Sequence, residues 1–204
     1  MTNLLAADPI TLLSYPQLKS WTVKEYRRLS ELGILESAER TELIAGQIIL
    51  MVAKGTPHVV TLQLLSSHLA EQLGAEQLSR STLIRTQDPI HLDNSSEPEP
   101  DLVIVNGGIL DYVDRHPQPA DIHLVVEVAD STLKYDCEVK NQLYAQANIP
   151  EYWVVDVKNR QVHIFRDPTP TGYTSQLIVS EPQSVSTLAF AGIVLSIAAI
   201  LPPL

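Results

Sequence analysis

Cysteine is nearly absent: the 204-residue chain has one, Cys137. A single thiol forms no internal disulfide and no four-thiolate zinc site, which points to a reducing compartment. Basic residues are scarce, with 14 Lys and Arg against 24 Asp and Glu and a formal charge of −10. Binding by broad phosphate attraction needs clustered cations, and this composition does not describe it. The six histidines show no H-x-H or H-E-x-x-H spacing, so no zinc centre is indicated. Neither G-x-S-x-G nor G-x-x-x-x-G-K occurs, which removes nucleophile-elbow hydrolases and P-loop nucleotide chemistry. Long apolar runs are missing too. The longest, Leu188 to Leu201, has 14 residues, is interrupted by Gly192 and Ser196, and is closed by Pro202-Pro203. A membrane helix needs ~20, so the run reads as a buried strand followed by a short terminal turn. The first residues carry no basic n-region and include Asp8 and Pro9, unlike a signal peptide. A cytoplasmic protein with no membrane partner is the expectation.

What is present describes one globular unit. Hydrophobic residues are 45% and charged residues 19%, which excludes wholesale disorder. Residues 1–20 read as an irregular arm and residues 21–204 as a single domain. Thr22 with Glu25 makes a capping box, Trp21 and Tyr26 sit at the positions of a hydrophobic staple, and Gly33 is the stop of a first helix. Thr41–Ile44 and Gln47–Met51 around Ala45-Gly46 read as a hairpin. Thr56-Pro57 opens a second helix, with Val59, Leu62, Leu65, Leu69 and Leu73 at helical spacing and Gly74 as its end. Strands are expected at 83–85, 101–105 and 122–128, a third helix from about Tyr135 to Asn148, then a hairpin at 151–156 and 161–165 and a strand from Gly172 to Val179. Helices interleaved with a mixed sheet give an α/β or α+β class.

Two carboxylates stand out by their apolar neighbours. Glu127 lies within Leu124-Val125-Val126-Glu127-Val128, a pattern buried on both faces. Asp101 opens the run Asp101–Val105. If these strands are antiparallel neighbours, the start of one meets the end of the other, and Asp101 and Glu127 lie side by side. Like charges so placed are relieved by a divalent cation, and oxygen ligands suit Mg²⁺ or Mn²⁺. The plainer reading makes Asp101 a loop cap and Glu127 the partner of a Lys or Arg. Asp136, Lys140 and Tyr144 are four apart and share a helix face. Lys140 can point at the acids or form a solvated pair with Asp136.

The ordered set is more specific. Glu42-Leu43-Ile44-x-Gly46-x-Ile48, Gly55-Thr56-Pro57-His58, Pro100-Asp101-Leu102-Val103, Val125-Val126-Glu127-Val128, Ser131-Thr132, Tyr135-Asp136, Lys140, Tyr144-Ala145 and Ile149–Asp156 follow in turn. This resembles the Uma-two family of bacterial restriction endonucleases, within the PD-(D/E)XK nuclease superfamily, over about residues 20–200. The resemblance implies a restriction-endonuclease-like core with a mixed β-sheet flanked by helices. It implies metal-dependent hydrolysis of phosphodiester bonds, with DNA as substrate and partner. Asp101, Glu127 and the Val128 carbonyl would hold Mg²⁺ (or Mn²⁺), and Lys140 would orient or activate the water. Glu42 matches an upstream acid, and Tyr144, His58 and Asp136 would support the site. Tyr144 as a packing residue and His58 as an exposed first-turn residue are the ordinary alternatives. Ala129 stands where the superfamily signature has its lysine, a role the resemblance gives to Lys140 on the next helix. Ala129-Asp130 also departs from the family pattern. A homodimer is expected by analogy with enzymes that cut both strands. The competing reading is a nuclease-fold module that binds nucleic acid or a protein without cutting.

Overall fold

Thr22 opens α1 (Val23–Glu31) in the manner its spacing implies. Glu25 N–H donates to Thr22 Oγ1 at 3.3 Å while the Thr22 N–H donates to Glu25 Oε2 at 2.9 Å. This reciprocal box satisfies two helix-end donors. Trp21 packs against the small cluster of Val23, Tyr26 and Leu43. The structure, a computed structural model, describes residues 18–35 and 40–203; most of the expected N-terminal arm lies outside the described residues.

β1 (Thr41–Ile44) and β2 (Gln47–Leu50) pair antiparallel in a two-stranded sheet of their own. The connecting residues Ala45 and Gly46 both have positive φ, 49° and 75°. Two left-handed residues define the tight hairpin turn whose twist matches its strands. α2 (Thr56–Arg80) follows. Gly74 breaks its geometry, with φ 73° and ψ 156°, yet the chain resumes a helical course to Arg80. Gly74 thus ends the first helical segment, as its residue type suggested, and a second short helical segment follows it. Leu62, Leu65, Leu69 and Leu73 form the buried stripe, whereas Val59 is 40% exposed and lies off it.

The main sheet has six strands: β3 (Thr82–Thr86), β4 (Leu102–Asn106), β5 (Ile122–Ala129), β6 (Glu151–Asp156), β7 (Gln161–Thr169) and β8 (Gly172–Ser180), in that order. All neighbours are antiparallel except β5 and β6, which are parallel. A parallel pair needs a long connection. It is supplied by α3 (Leu133–Tyr135), a π-helical turn (Asp136–Lys140) and α4 (Asn141–Gln146), continuous in sequence. This segment starts two residues before the expected Tyr135. Asn148, at φ 59°, provides the left-handed stop that its residue type suggested.

Strand periodicity divides the core. Leu102 and Ile104 of β4, with Leu124, Val126 and Val128 of β5, face the leucine stripe of α2. Val103, Val105 and Val125 face the opposite way, toward Tyr144 of α4, Tyr152 and Phe165. Odd-numbered positions on both strands thus share the α4 face, and Asp101 and Glu127 belong to that set. The apolar run contains β10 (Val194–Ser196) followed by a short 3₁₀ turn (Ile197–Ala199), the strand and terminal turn expected of it, and β10 pairs antiparallel with β9 (Ser184–Ser186), which precedes the run. Ile193, Leu195, Ile197, Ile200 and Leu201 close the α2 side of the core. Among the described residues no helix is long and apolar enough to cross a membrane.

Candidate active site

Leu102 pairs with Val126 in the β4–β5 ladder. One step outward the antiparallel register brings Asp101 opposite Glu127. The Asp101 N–H points at Glu127 Oε2 at 3.4 Å, and the Val128 N–H donates to Asp101 Oδ2 at 2.9 Å. Both carboxylates are buried, at 5% and 4% exposure. Two acids drawn from distant sequence therefore meet at one end of the sheet.

Lys140 completes the group. It lies in the π-helical turn and is itself buried. Its ammonium donates to Glu127 Oε1 at 2.9 Å and lies 3.2 Å from Glu42 Oε1. Burial would lower its pKa, but Glu127, Glu42 and Asp136 together push it above the ordinary lysine value, so it stays charged. Tyr144, one turn on, donates its hydroxyl to the same Glu127 Oε1 at 2.9 Å. Glu42 projects from β1 and accepts the Glu99 N–H at 3.2 Å on its other oxygen. Burial drives the Glu127 carboxyl above the usual carboxylate range, with Lys140 opposing and Asp101, Asp136 and Glu42 reinforcing the rise.

Asp101 is shifted the other way. Burial alone would raise its pKa, but the hydrogen bond and charge of His58, the charge of Lys54 and the Val128 N–H hold it at about 2. His58, which its first-turn position would leave in solvent, is buried and donates from Nε2 to Asp101 Oδ2 at 2.9 Å. Asp136 is also buried and accepts Thr132 Oγ1 at 2.6 Å. It faces the cluster electrostatically, and no ion pair joins it to Lys140. The solvated Asp136–Lys140 pair considered from the sequence is thus replaced by two buried groups with different partners. Burial, against the pull of Lys140 and Thr132, raises the Asp136 carboxyl to about 6.

These residues line a cleft of about 610 Å³. All the expected site residues reach it except Tyr144, which lies behind Glu127. Two contributors were missed in the sequence. Lys54, in the loop between β2 and α2, lies 3.1 Å from Asp101 Oδ1. Gln87 points its amide at the same oxygen, at 3.4 Å. Lys54 sits in an irregular stretch and belongs to no periodic pattern. Gln87 had only its place after a strand, and its φ of 57° could not be read from residue type.

The donor set fits a hard divalent cation. Glu127 Oε2 meets only the Asp101 N–H at 3.4 Å, and Asp101 Oδ1 meets the Gln87 amide at 3.4 Å and the Lys54 ammonium at 3.1 Å. Mg²⁺ characteristically takes one or two carboxylates and keeps several waters. Among the described residues, no group of three or more His, Cys, Asp or Glu side chains is placed to hold a metal ion by itself, so waters would have to complete the shell of a cation held by two carboxylates.

Residues 23–198 match the Uma2 family, described as a putative restriction endonuclease. The chain belongs to the Uma2 family. The fold agrees with that placement. A crystal structure of a putative nuclease of the DUF820 group from Anabaena variabilis superposes with a TM-score of 0.67 at 16% identity, covering 88% of this chain and 96% of that one. No curated protein matches the sequence. Lys140 lies 13 positions beyond Glu127 in sequence, across a loop and a turn, and meets it in space.

Proposed function

We propose that this Uma2 protein is a metal-dependent endonuclease that hydrolyses phosphodiester bonds in DNA. The observation that carries the reading is the meeting of Asp101, Glu127 and Lys140 at one sheet end, with the lysine charged and 2.9 Å from Glu127. Asp101 and Glu127, with the backbone carbonyl of Val128, would hold Mg²⁺ or Mn²⁺. Bound there, the cation supplies Lewis acidity toward the phosphate and lowers the pKa of water.

The chain's own groups carry the remaining roles. His58 and the Val128 N–H fix one oxygen of Asp101 and leave the other turned toward Lys54. Tyr144 and Lys140 converge on Glu127 Oε1 and set the direction of its second oxygen. Lys140, kept charged by the carboxylates around it, orients the attacking water and screens charge that develops on the phosphate. Glu42 holds the opposite side of the Lys140 ammonium. Asp136 stands behind it as a further acid.

Action in the cytoplasm as a homodimer belongs to the same proposal, two sites serving two strands. The competing reading, a module that binds without cutting, draws on one observation. Among the described residues, Lys24 and Lys134 are the basic side chains outside any ion pair. The test is incubation of purified protein with DNA of varied form and Mg²⁺ or Mn²⁺, beside Asp101→Ala. Cleavage that needs the divalent ion and disappears in the variant supports the endonuclease. Cleavage unchanged in the variant removes it.

A further inference from the structure

A second groove adjoins the cleft. It has a volume of about 520 Å³, lies between α2 and the end of β3, and is lined by Lys54, Gln63, Ser66, Ser67, Thr86 and Gln87 together with apolar Val59 and Leu62. Its chemistry is the reverse of its neighbour's. The cleft wall carries Glu42, Asp101, Glu127, Asp130, Asp136 and Glu138. The groove wall carries no carboxylate at all, in a chain with 24 acids and a charge of −10.

The two spaces share Lys54. Its ammonium approaches Asp101 Oδ1 at 3.1 Å, yet it makes no hydrogen bond of good geometry although the atom is buried. A buried ammonium with unused donors is costly unless a ligand completes it. Gln87 forms the second link. Its backbone N–H points at the Pro100 and Asp101 carbonyls at 3.2 and 3.1 Å, and its side-chain amide at Asp101 Oδ1 at 3.4 Å. It holds a left-handed backbone without being glycine, a conformation that persists when surrounding structure enforces it.

We propose that this groove is the track for the nucleic-acid strand that flanks the scissile phosphodiester, with Lys54 the cation at the junction of track and cleft. The proposal rests on the phosphodiesterase reading of the cleft. A strand leaving the acidic cleft must place its next phosphates somewhere free of carboxylates, and this groove adjoins the cleft directly. Hydroxyls and amides are the donors that contact phosphate and sugar without reading sequence. The groove lacks aromatic rings on which bases could stack, and the Gln87 amide is turned to Asp101, so it positions the strand and leaves base identity unread.

The test adds negative charge to the track. Gln63 and Ser67 are exposed on α2, so Gln63→Glu combined with Ser67→Asp leaves the core untouched. Two substrates are compared: a fluorescein-labelled oligodeoxynucleotide, which would occupy track and cleft, and bis(p-nitrophenyl) phosphate, which needs the cleft alone. The expected result is a rise in KM for the oligonucleotide on the order of fivefold or more, from two like charges near the phosphates, with kcat and the small diester unaffected. An unchanged oligonucleotide KM in the double variant, or equal losses on both substrates, overturns the track. If the wild-type protein hydrolyses neither substrate, the nuclease reading falls, and fluorescence anisotropy with the same oligonucleotide decides the track separately. Weaker binding by the double variant supports it; equal binding, or none by the wild type, overturns it.

Discussion

Lys140 and Glu127 form a buried ion pair, Nζ to Oε1 at 2.9 Å, in which each side chain is at most 6% exposed. Taking two charges out of water is costly, and their attraction in a poorly polarisable interior offsets that only when the geometry is good. Here Tyr144 and Glu42 supply further contacts. The pair is better explained as site chemistry than as a stabilising device. The π-helical turn serves the same end, since such turns shift the phase of a helix and recur at functional positions.

Lys140→Met keeps most of the volume and removes the charge. Glu42 and Glu127 then face each other's field with no compensation, a change of the kind that costs about 3–5 kcal/mol when one partner of a buried pair is deleted. Urea denaturation at neutral pH measures this. Part of the loss should be recovered in mild acid, because without Lys140 the Glu127 carboxyl is raised further and the folded chain then holds a proton that the unfolded chain lacks. A variant as stable as the wild type at neutral pH would mean that the ammonium is not the counter-charge described.

Tyr144→Phe isolates one hydrogen bond. The ring keeps its contact with Tyr152, whose centroid lies 4.9 Å away, and only the donation to Glu127 Oε1 is lost. A bond to a charged acceptor contributes about 1.5–3 kcal/mol. Stability should fall by that order, and turnover should fall more than KM rises, because Glu127 loses part of its orientation. Unchanged turnover would assign Tyr144 to packing alone.

The residues that were legible in the sequence are those whose role is local or periodic. Thr22 and Glu25 declare a capping box by spacing, and Ala45-Gly46 between two β-prone runs declares a tight hairpin. The meeting of Asp101 and Glu127 followed from the antiparallel register of two apolar strands, because alternation fixes which face each carboxylate takes. Lys54, Gln87 and the buried state of His58 and Asp136 were not legible. Each depends on where a loop or a helix start lies against the sheet, and that placement leaves no period in the chain. Ala129 stands where the D/E-x-K spacing would put a lysine, so only the ordered family pattern, and not that local spacing, pointed to Lys140.

Asp136 gives a pH dependence with a definite sign. Burial raises its pKa from 3.8 to about 6. Between those values the folded state binds more protons than the unfolded state, so the contribution of this group to stability falls as pH rises through the window and is level above it. Asp136→Asn keeps an acceptor for Thr132 and removes the titration. On passing from about pH 4 to about pH 7 the variant should gain on the wild type by up to about 3 kcal/mol. Chemical denaturation across the window provides the measurement. A difference that is constant with pH would place Asp136 in contact with water.

Divalent cation binding should be visible as stabilisation, without any substrate. A ligand that binds only the folded chain at a hundredfold excess over its Kd adds about 2.7 kcal/mol, and thermal unfolding with added Mg²⁺ or Mn²⁺ reports it. Asp101→Asn should abolish the shift, because Asp101 is one of the two carboxylates on the cleft floor and is held ionised by His58 and Lys54. The pH trend follows from Glu127. Its carboxyl is raised by burial, so a proton competes with the cation at a pH where an ordinary glutamate would already be free. Cation affinity should therefore go on rising through neutral pH in the wild type, since each binding event must displace that proton. A shift that is already flat from mild acid upward would show that Glu127 is ionised before the cation arrives. A shift that survives in Asp101→Asn would place the cation elsewhere on this acidic chain.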